Sequence, residues 1–186
     1  MIHIHSRHTP HPKLEKKYRG ARIVDVTSRG PSPWVRLSPF FPVGDLPIPG
    51  RPGEVGASVE GIWQGLKVFE TADVDPKRFD ITTMKGLKRT VRKFGPCLGH
   101  AWGPGPRGTR LLGYREARYQ IFLPLYRTVL ADRCADVIAE LASIARDEDL
   151  LLLDYMTNPD VDDLSKPLSH AGLIAAWLED RWPGRE

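Results

Sequence analysis

The chain concentrates chemistry-bearing side chains on one short stretch, Ser58-Val59-Glu60-Gly61-Ile62-Trp63-Gln64-Gly65-Leu66-Lys67-Val68-Phe69-Glu70. At about 100° per residue, Glu60, Gln64 and Lys67 fall within an arc of roughly 60° on one helix. Ile62, Trp63, Leu66 and Phe69 fill the other side as a core-facing stripe. An acid, an amide and an amine on one patch can stabilise developing positive charge, activate a water and orient hydroxyls. The same pattern also describes an exposed face whose side chains only bond one another. Ser58 is expected to cap the helix, with Glu60 in its first turn complementing the dipole.

A second concentration of charge lies in Met84–Phe94, which reads as a helix ended by Gly95-Pro96. Lys85, Lys88, Arg89, Arg92 and Lys93 would occupy an arc of about 140°, opposite Met84, Leu87, Val91 and Phe94. Five cations without an acid form either a solvated face or a phosphate-holding surface. Asp154 closes the apolar run Leu150–Leu153, and acids at the carboxyl ends of covered strands are well placed for catalysis. The following loop carries Asp160, Asp162 and Asp163 but lacks the glycine and final glutamate of a calcium loop. Turn and capping chemistry is therefore expected there. His3, His5, His8 and His11 match no metal-ligand spacing, and Pro10 and Pro12 break any helix that would gather them. Gly103-Pro104-Gly105 is no phosphate fingerprint. Neither a metal nor a resident cofactor is expected.

The elements that must position these groups follow from periodicity. Met1–His5 alternates as a strand before a basic segment that ends at Gly20, and Ala21–Thr27 is a β-branched strand. The Pro-rich segment holding Trp34, Leu37, Phe40 and Phe41 is expected to wrap the core. Residues 95–110, which carry His100 and Trp102, read as a Gly/Pro-rich loop. Tyr114–Leu130 reads as a helix kinked at Pro124, followed by a second helix ending at Arg146. Leu150–Asp154 is a buried strand, and Ser169 caps the last helix, His170–Arg181. With 186 residues, 41% of them hydrophobic, the chain is expected to be a single α+β (or α/β) domain, a small mixed sheet covered by several helices. Its net charge of +4 suits a phosphate-bearing partner. No apolar run approaches the roughly 20 residues of a membrane span, the opening residues lack a signal-peptide core, and Cys97 and Cys134 form no disulfide framework. A cytoplasmic, reduced setting is expected.

The stretch Ser58–Lys67 resembles the S-x-E-x-x-x-Q-x-x-K helix of the NADAR superfamily, which includes the YbiA-like N-glycosidases. Leu37-Ser38-Pro39-Phe40-Phe41-Pro42 is similar to that family's F-S-N-F-Y-P segment, and Asp154 and Asp160 are placed like its late acidic pair. Gly61 and Ile62 stand where the family usually has His and an aromatic, and its D-W pair is absent. A second likeness, through Arg29-Gly30-Pro31-Ser32-Pro33-Trp34, Tyr126-Arg127 and His170, is to small uncharacterised bacterial and phage domains. The NADAR resemblance implies cleavage of a ribosyl–base N-glycosidic bond in a phosphorylated nucleoside or an ADP-ribosylated nucleobase. Glu60 and Asp154 would then be the catalytic acids, since the oxocarbenium-like transition state calls for a carboxylate. Gln64 and Lys67 would orient ribose or leaving base, Lys88, Arg89 and Arg92 would hold phosphate, and Trp63, Trp102 or Phe40 would stack on a base, with Asp160 completing the substrate contacts. NAD or ADP-ribose would be substrate rather than cofactor. The alternative is a non-catalytic module binding ADP-ribose, nucleotide or nucleic acid; no membrane partner is expected.

Overall fold

A computed structural model describes residues 1–184. The fold is mixed α+β, with three small sheets among the described residues. The chain forms two compact units, one built from residues 1–38 with 130–184 and the other from residues 39–129. Among the described residues no helix is long and apolar enough to cross a membrane.

The first unit is organised by Leu150–Asp154, whose five residues are all buried. It lies between Ile2–Ser6 and Arg22–Asp25 and pairs in parallel with both, Leu152 facing Ile4 on one side and Val24 on the other. The two early strands thus leave a gap, and the late strand fills it. Helices can cover both faces of such a sheet, which is why its central strand reads as an unbroken apolar run. Alternation then assigns the faces. Leu151 and Leu153 pack with Ile23 against Leu14 and Tyr18, from the helix His11–Lys17 and its end. The opposite parity ends in Asp154, and the helix His170–Leu178 packs on Leu150–Asp154 and Ile2–Ser6. Helix Ala135–Asp147 is tied at its start by Arg36, whose guanidinium donates to both oxygens of Asp136 and to the Arg133 carbonyl.

The second unit is antiparallel. Lys67–Phe69, Cys97–Trp102 and Arg110–Leu112 form a sheet in that order, and Leu46–Pro47 pairs with Val55–Gly56. Three expectations are corrected here. The helix begun at Ser58 stops at Gly65, and Lys67 starts a strand instead of a further turn. Only Val91–Phe94 of the basic segment is helical, because Met84 and Gly86 take φ of 55° and 71°, outside the helical region. Residues 97–102 form the central strand of the sheet rather than a loop. The helical run from Tyr114, by contrast, continues through Pro124. A wide π turn at Arg118–Phe122, with the Leu123 N–H donating to the Arg118 carbonyl, absorbs the proline without a break.

The short helix Val59–Gly65 is held close to neighbouring backbone by its two glycines. A Cβ on Gly61 would lie 2.6 Å from the Arg78 carbonyl oxygen, and one on Gly65 would lie 2.3 Å from the Phe79 ring. Alanine at an exposed helical glycine stabilises by about 1 kcal/mol. Here overpacking, costing about 1–3 kcal/mol, outweighs that gain. Gly65→Ala is therefore expected to destabilise the protein, read as a lower urea midpoint; an unchanged or higher midpoint would contradict the close approach.

Candidate functional site

A set of chemistry-bearing side chains lies in the unit formed by residues 39–129. Ser58 caps the helix by accepting from the Gly61 N–H at 3.0 Å, and the Glu60 N–H donates to the Pro39 carbonyl at 2.8 Å. That bond brings the Pro39-Phe40 segment onto the helix start. Glu60 is 9% exposed, and its Oε1 accepts from Gln64 Nε2 at 2.9 Å. Gln64 Oε1 in turn accepts from the Arg89 N–H at 3.0 Å. A buried acid, an amide and the basic segment are thus connected in series.

Lys67 reaches this group from the strand rather than from the helix. Burial pushes its pKa below the usual lysine range, and the Glu60 carboxylate pulls partly the other way. Across the strand pair Lys67 faces His100, so both side chains leave the sheet on one side. The His100 ring lies against Trp63, with centroids 3.9 Å apart, and Trp63 also packs edge-on to Phe122. Burial, with the Lys67 charge second, lowers the His100 pKa to about 3. The imidazole is therefore neutral near pH 7.

Other residues singled out from the sequence are committed elsewhere. Arg89 is buried, and its guanidinium donates to the carbonyls of Lys67 at 2.6 Å and Asp73 at 2.7 Å. Its guanidinium carbon also lies 4.9 Å from the Phe69 ring centroid and 5.1 Å from that of Phe94, a structural setting that turns its terminal nitrogens to backbone. Lys88 and Arg92 are exposed, and Lys88 Nζ stands 5.8 Å from the Phe40 ring centroid. Trp102 packs one side of its indole against Gly50, where a Cβ would be 2.7 Å from the ring, and meets the Arg110 guanidinium at 5.7 Å.

Asp154 belongs to the other unit, and both of its oxygens are engaged. Oδ1 accepts from the Tyr155 N–H at 2.6 Å, and Oδ2 from Ser169 Oγ at 2.8 Å and the Ala171 N–H at 3.2 Å. His170 Nδ1 lies 3.0 Å from the same oxygen, and its Nε2 lies 2.9 Å from the Val26 carbonyl. With an acceptor at each nitrogen, the ring is a doubly donating imidazolium. Burial opposes that charge, yet Asp154 and the Val26 carbonyl outweigh it and raise the His170 pKa. For Asp154, burial is likewise outweighed by His170 and the Ser169 and Ala171 donors, so its pKa falls. Asp160 is exposed, and its Oδ1 accepts from the Asp162 N–H in a turn, as Asp163 does from Ser165. Among the described residues no three His, Cys, Asp or Glu side chains gather to hold a metal.

Sequence reasoning gave no role to His100. The alternation Leu98-Gly99-His100-Ala101-Trp102 was the available strand signal, masked by the flanking glycines and prolines. The profile of the Family of unknown function (DUF6939) matches residues 6–174, and the chain belongs to that family. No curated protein and no solved structure matches it.

Two stability consequences follow from the titrations. The folded pKa of His170 is above its ordinary 6.5 and that of Asp154 below its ordinary 3.8. Their contribution is therefore fully present between those values; it is lost as pH rises through the folded His170 pKa or falls through the folded Asp154 pKa. Breaking a buried pair costs about 3–5 kcal/mol, so His170→Asn should cost that much near pH 5.5, with the gap to wild type narrowing in alkaline solution. A gap independent of pH would refute the charged pair. His100 has the opposite sign: its folded pKa of about 3 lies below 6.5, so the neutral ring loses stability as pH falls through 6.5 towards 3. In His100→Phe that acid-side slope should flatten, measured as urea midpoints across this range.

Proposed function

For this member of the DUF6939 family we propose hydrolysis of a ribosyl–base N-glycosidic bond, in a phosphorylated nucleoside or an ADP-ribosylated nucleobase. The observation that carries the reading is a nearly buried carboxylate, Glu60, fixed by Gln64 and electrostatically coupled to the half-buried amine of Lys67. Cleaving C1′–N sends the bonding pair to the base and leaves positive charge on C1′ and the ring oxygen. A fixed carboxylate beside that carbon stabilises the charge. Water then bonds to C1′ and gives its proton to Glu60, while the Lys67 ammonium protonates the departing base. Proton return from Glu60 to Lys67 restores the site, so the net change is addition of one water.

The resemblance of Ser58–Lys67 and Leu37–Pro42 to the NADAR superfamily supports the same reaction class. Phe40 and Trp63 line the reading's base and ribose side, and Lys88 and Arg92 supply its phosphate contacts. Arg89 shapes the site through backbone carbonyls, and Asp154 serves the strand-to-helix junction of the other unit. A cytoplasmic setting suits two free thiols, one exposed and one buried.

A second reading has its own observation. Lys85, Lys88, Arg92 and Lys93 are exposed, and among the described residues none forms an ion pair. Such a strip also fits a non-catalytic module for nucleotide or nucleic acid, with binding that weakens steeply with salt.

Glu60→Gln preserves size and the capacity to bond Gln64. It should lower base release from ADP-ribosylated DNA or a ribosylated pyrimidine phosphate by at least about 100-fold. Turnover equal to wild type would remove Glu60 from the reaction. Salt-sensitive binding of the same substrates by wild type, with no base released, would replace the hydrolase with the binding module.

A further inference from the structure

His100 is 1% exposed, and neither ring nitrogen has a hydrogen-bond partner. A buried donor and acceptor left unpaired cost folding free energy, and such groups are retained where function completes them. Their surroundings are specific. The Trp63 ring covers the imidazole at 3.9 Å, Lys67 is its partner on one neighbouring strand, and Leu112 is its partner on the other. Trp63 follows Glu60 by three positions on the helix, so the two are neighbours on its surface. The imidazole therefore stands next to the amine assigned to bond cleavage and against the helix that carries the carboxylate, while bonding to no group of the chain.

We infer that His100 is a specificity-determining residue of this site, one of its ring nitrogens meeting the hydrogen-bonding edge of an uncharged nucleobase admitted past Lys67. The bond that is cut rests on the hydrolase reading; recognition of the base does not. A neutral imidazole offers one N–H and one lone pair on opposite sides of its ring, so the nitrogen that faces the base bonds either a carbonyl or an N–H, groups that guanine and uracil both carry. It carries no charge to attract phosphate, which falls to the exposed Lys88 and Arg92. The Lys67 ammonium beside it disfavours a pyridinium such as the base of nicotinamide nucleotides. Lys67 is the half-buried side chain next to His100 on its face of the sheet. Displacement of that flexible stem gives a base its path to the ring.

Uridine, guanosine and nicotinamide 5′-monophosphates share ribose phosphate and differ in the charge of the base, so they isolate this contact. Calorimetry on the full chain should show uridine or guanosine monophosphate binding at least about tenfold tighter than the nicotinamide nucleotide. In wild type labelled with ¹⁵N-histidine, the His100 ring signals should move on saturation with the neutral-base nucleotides. His100→Phe, which keeps a ring against Trp63, should shrink the selectivity to within about twofold. Equal affinity for the nicotinamide nucleotide, no binding of the neutral-base nucleotides, or unmoved His100 signals at saturation overturns the inference, and the last needs no variant to fold. His100-dependent base binding without base release would overturn the hydrolase reading alone. Base release from a neutral-base glycoside with His100 signals unmoved would overturn this inference alone.

Discussion

The Arg89 guanidinium sets the geometry of the unit that carries the candidate site. It donates to the Lys67 and Asp73 carbonyls, with longer contacts to those of Gln64 and Gly65, at the place where the helix Val59–Gly65 gives way to a strand. The last carbonyls of a helix need donors, and a cation there also complements the dipole. Filling that role from a distant segment ends the helix after two turns and turns the chain at Leu66. Lys67 then starts a strand beside His100 instead of continuing the helix. The same anchor explains the basic segment: its central arginine is drawn inward against Phe69 and Phe94, so the segment cannot present five cations on one helical face.

Buried charge serves two purposes in this chain, and hydrogen-bond partners separate them. Arg89 bonds backbone carbonyls, Asp154 and His170 bond each other and backbone groups, and both arrangements join segments far apart in sequence. Removing either partner of such a pair leaves an uncompensated charge, so they are costly to disturb and poorly suited to exchanging protons with a substrate. Glu60, Lys67 and His100 differ in kind. Glu60 and Lys67 are coupled through space, His100 bonds nothing, and burial lowers the pKa of Lys67 and of His100. Perturbed titratable groups of this kind, gathered beside a buried carboxylate, are a feature of functional sites.

Much of this was legible from local pattern. The run Leu150–Asp154, the caps Ser58 and Ser169, and the Glu60–Gln64 spacing all follow from rules acting over four residues or fewer, and each is seen. The helical run from Tyr114 was also legible, although its accommodation of Pro124 by a π turn was not. What escaped notice depended on distant partners. The helix stop at Gly65 comes from Arg89, and the break in the basic segment comes with left-handed backbone at Met84 and Gly86. The strand Cys97–Trp102 is imposed by pairing on both sides, against a composition that favours a loop. Lys67 kept its nearness to Glu60 for a reason the helical wheel did not contain.

Gly61 and Gly65 connect this packing to the chemistry. Both would be improvements to an isolated helix if replaced by alanine, and both lie where a Cβ would strike the backbone or ring of the turn Arg78-Phe79. One side of the helix is thereby pressed against Arg78 and Phe79, and the Ala57 N–H bonds the Phe79 carbonyl at 2.7 Å beneath it. Glu60, Trp63 and Gln64 are then carried on a short helix with little freedom to move. That rigidity is where the glycine at position 61 acquires a physical meaning. A side chain there would have to lift the helix from the turn, and lifting it would strain the Arg89 contacts that join the helix end to the Lys67 strand.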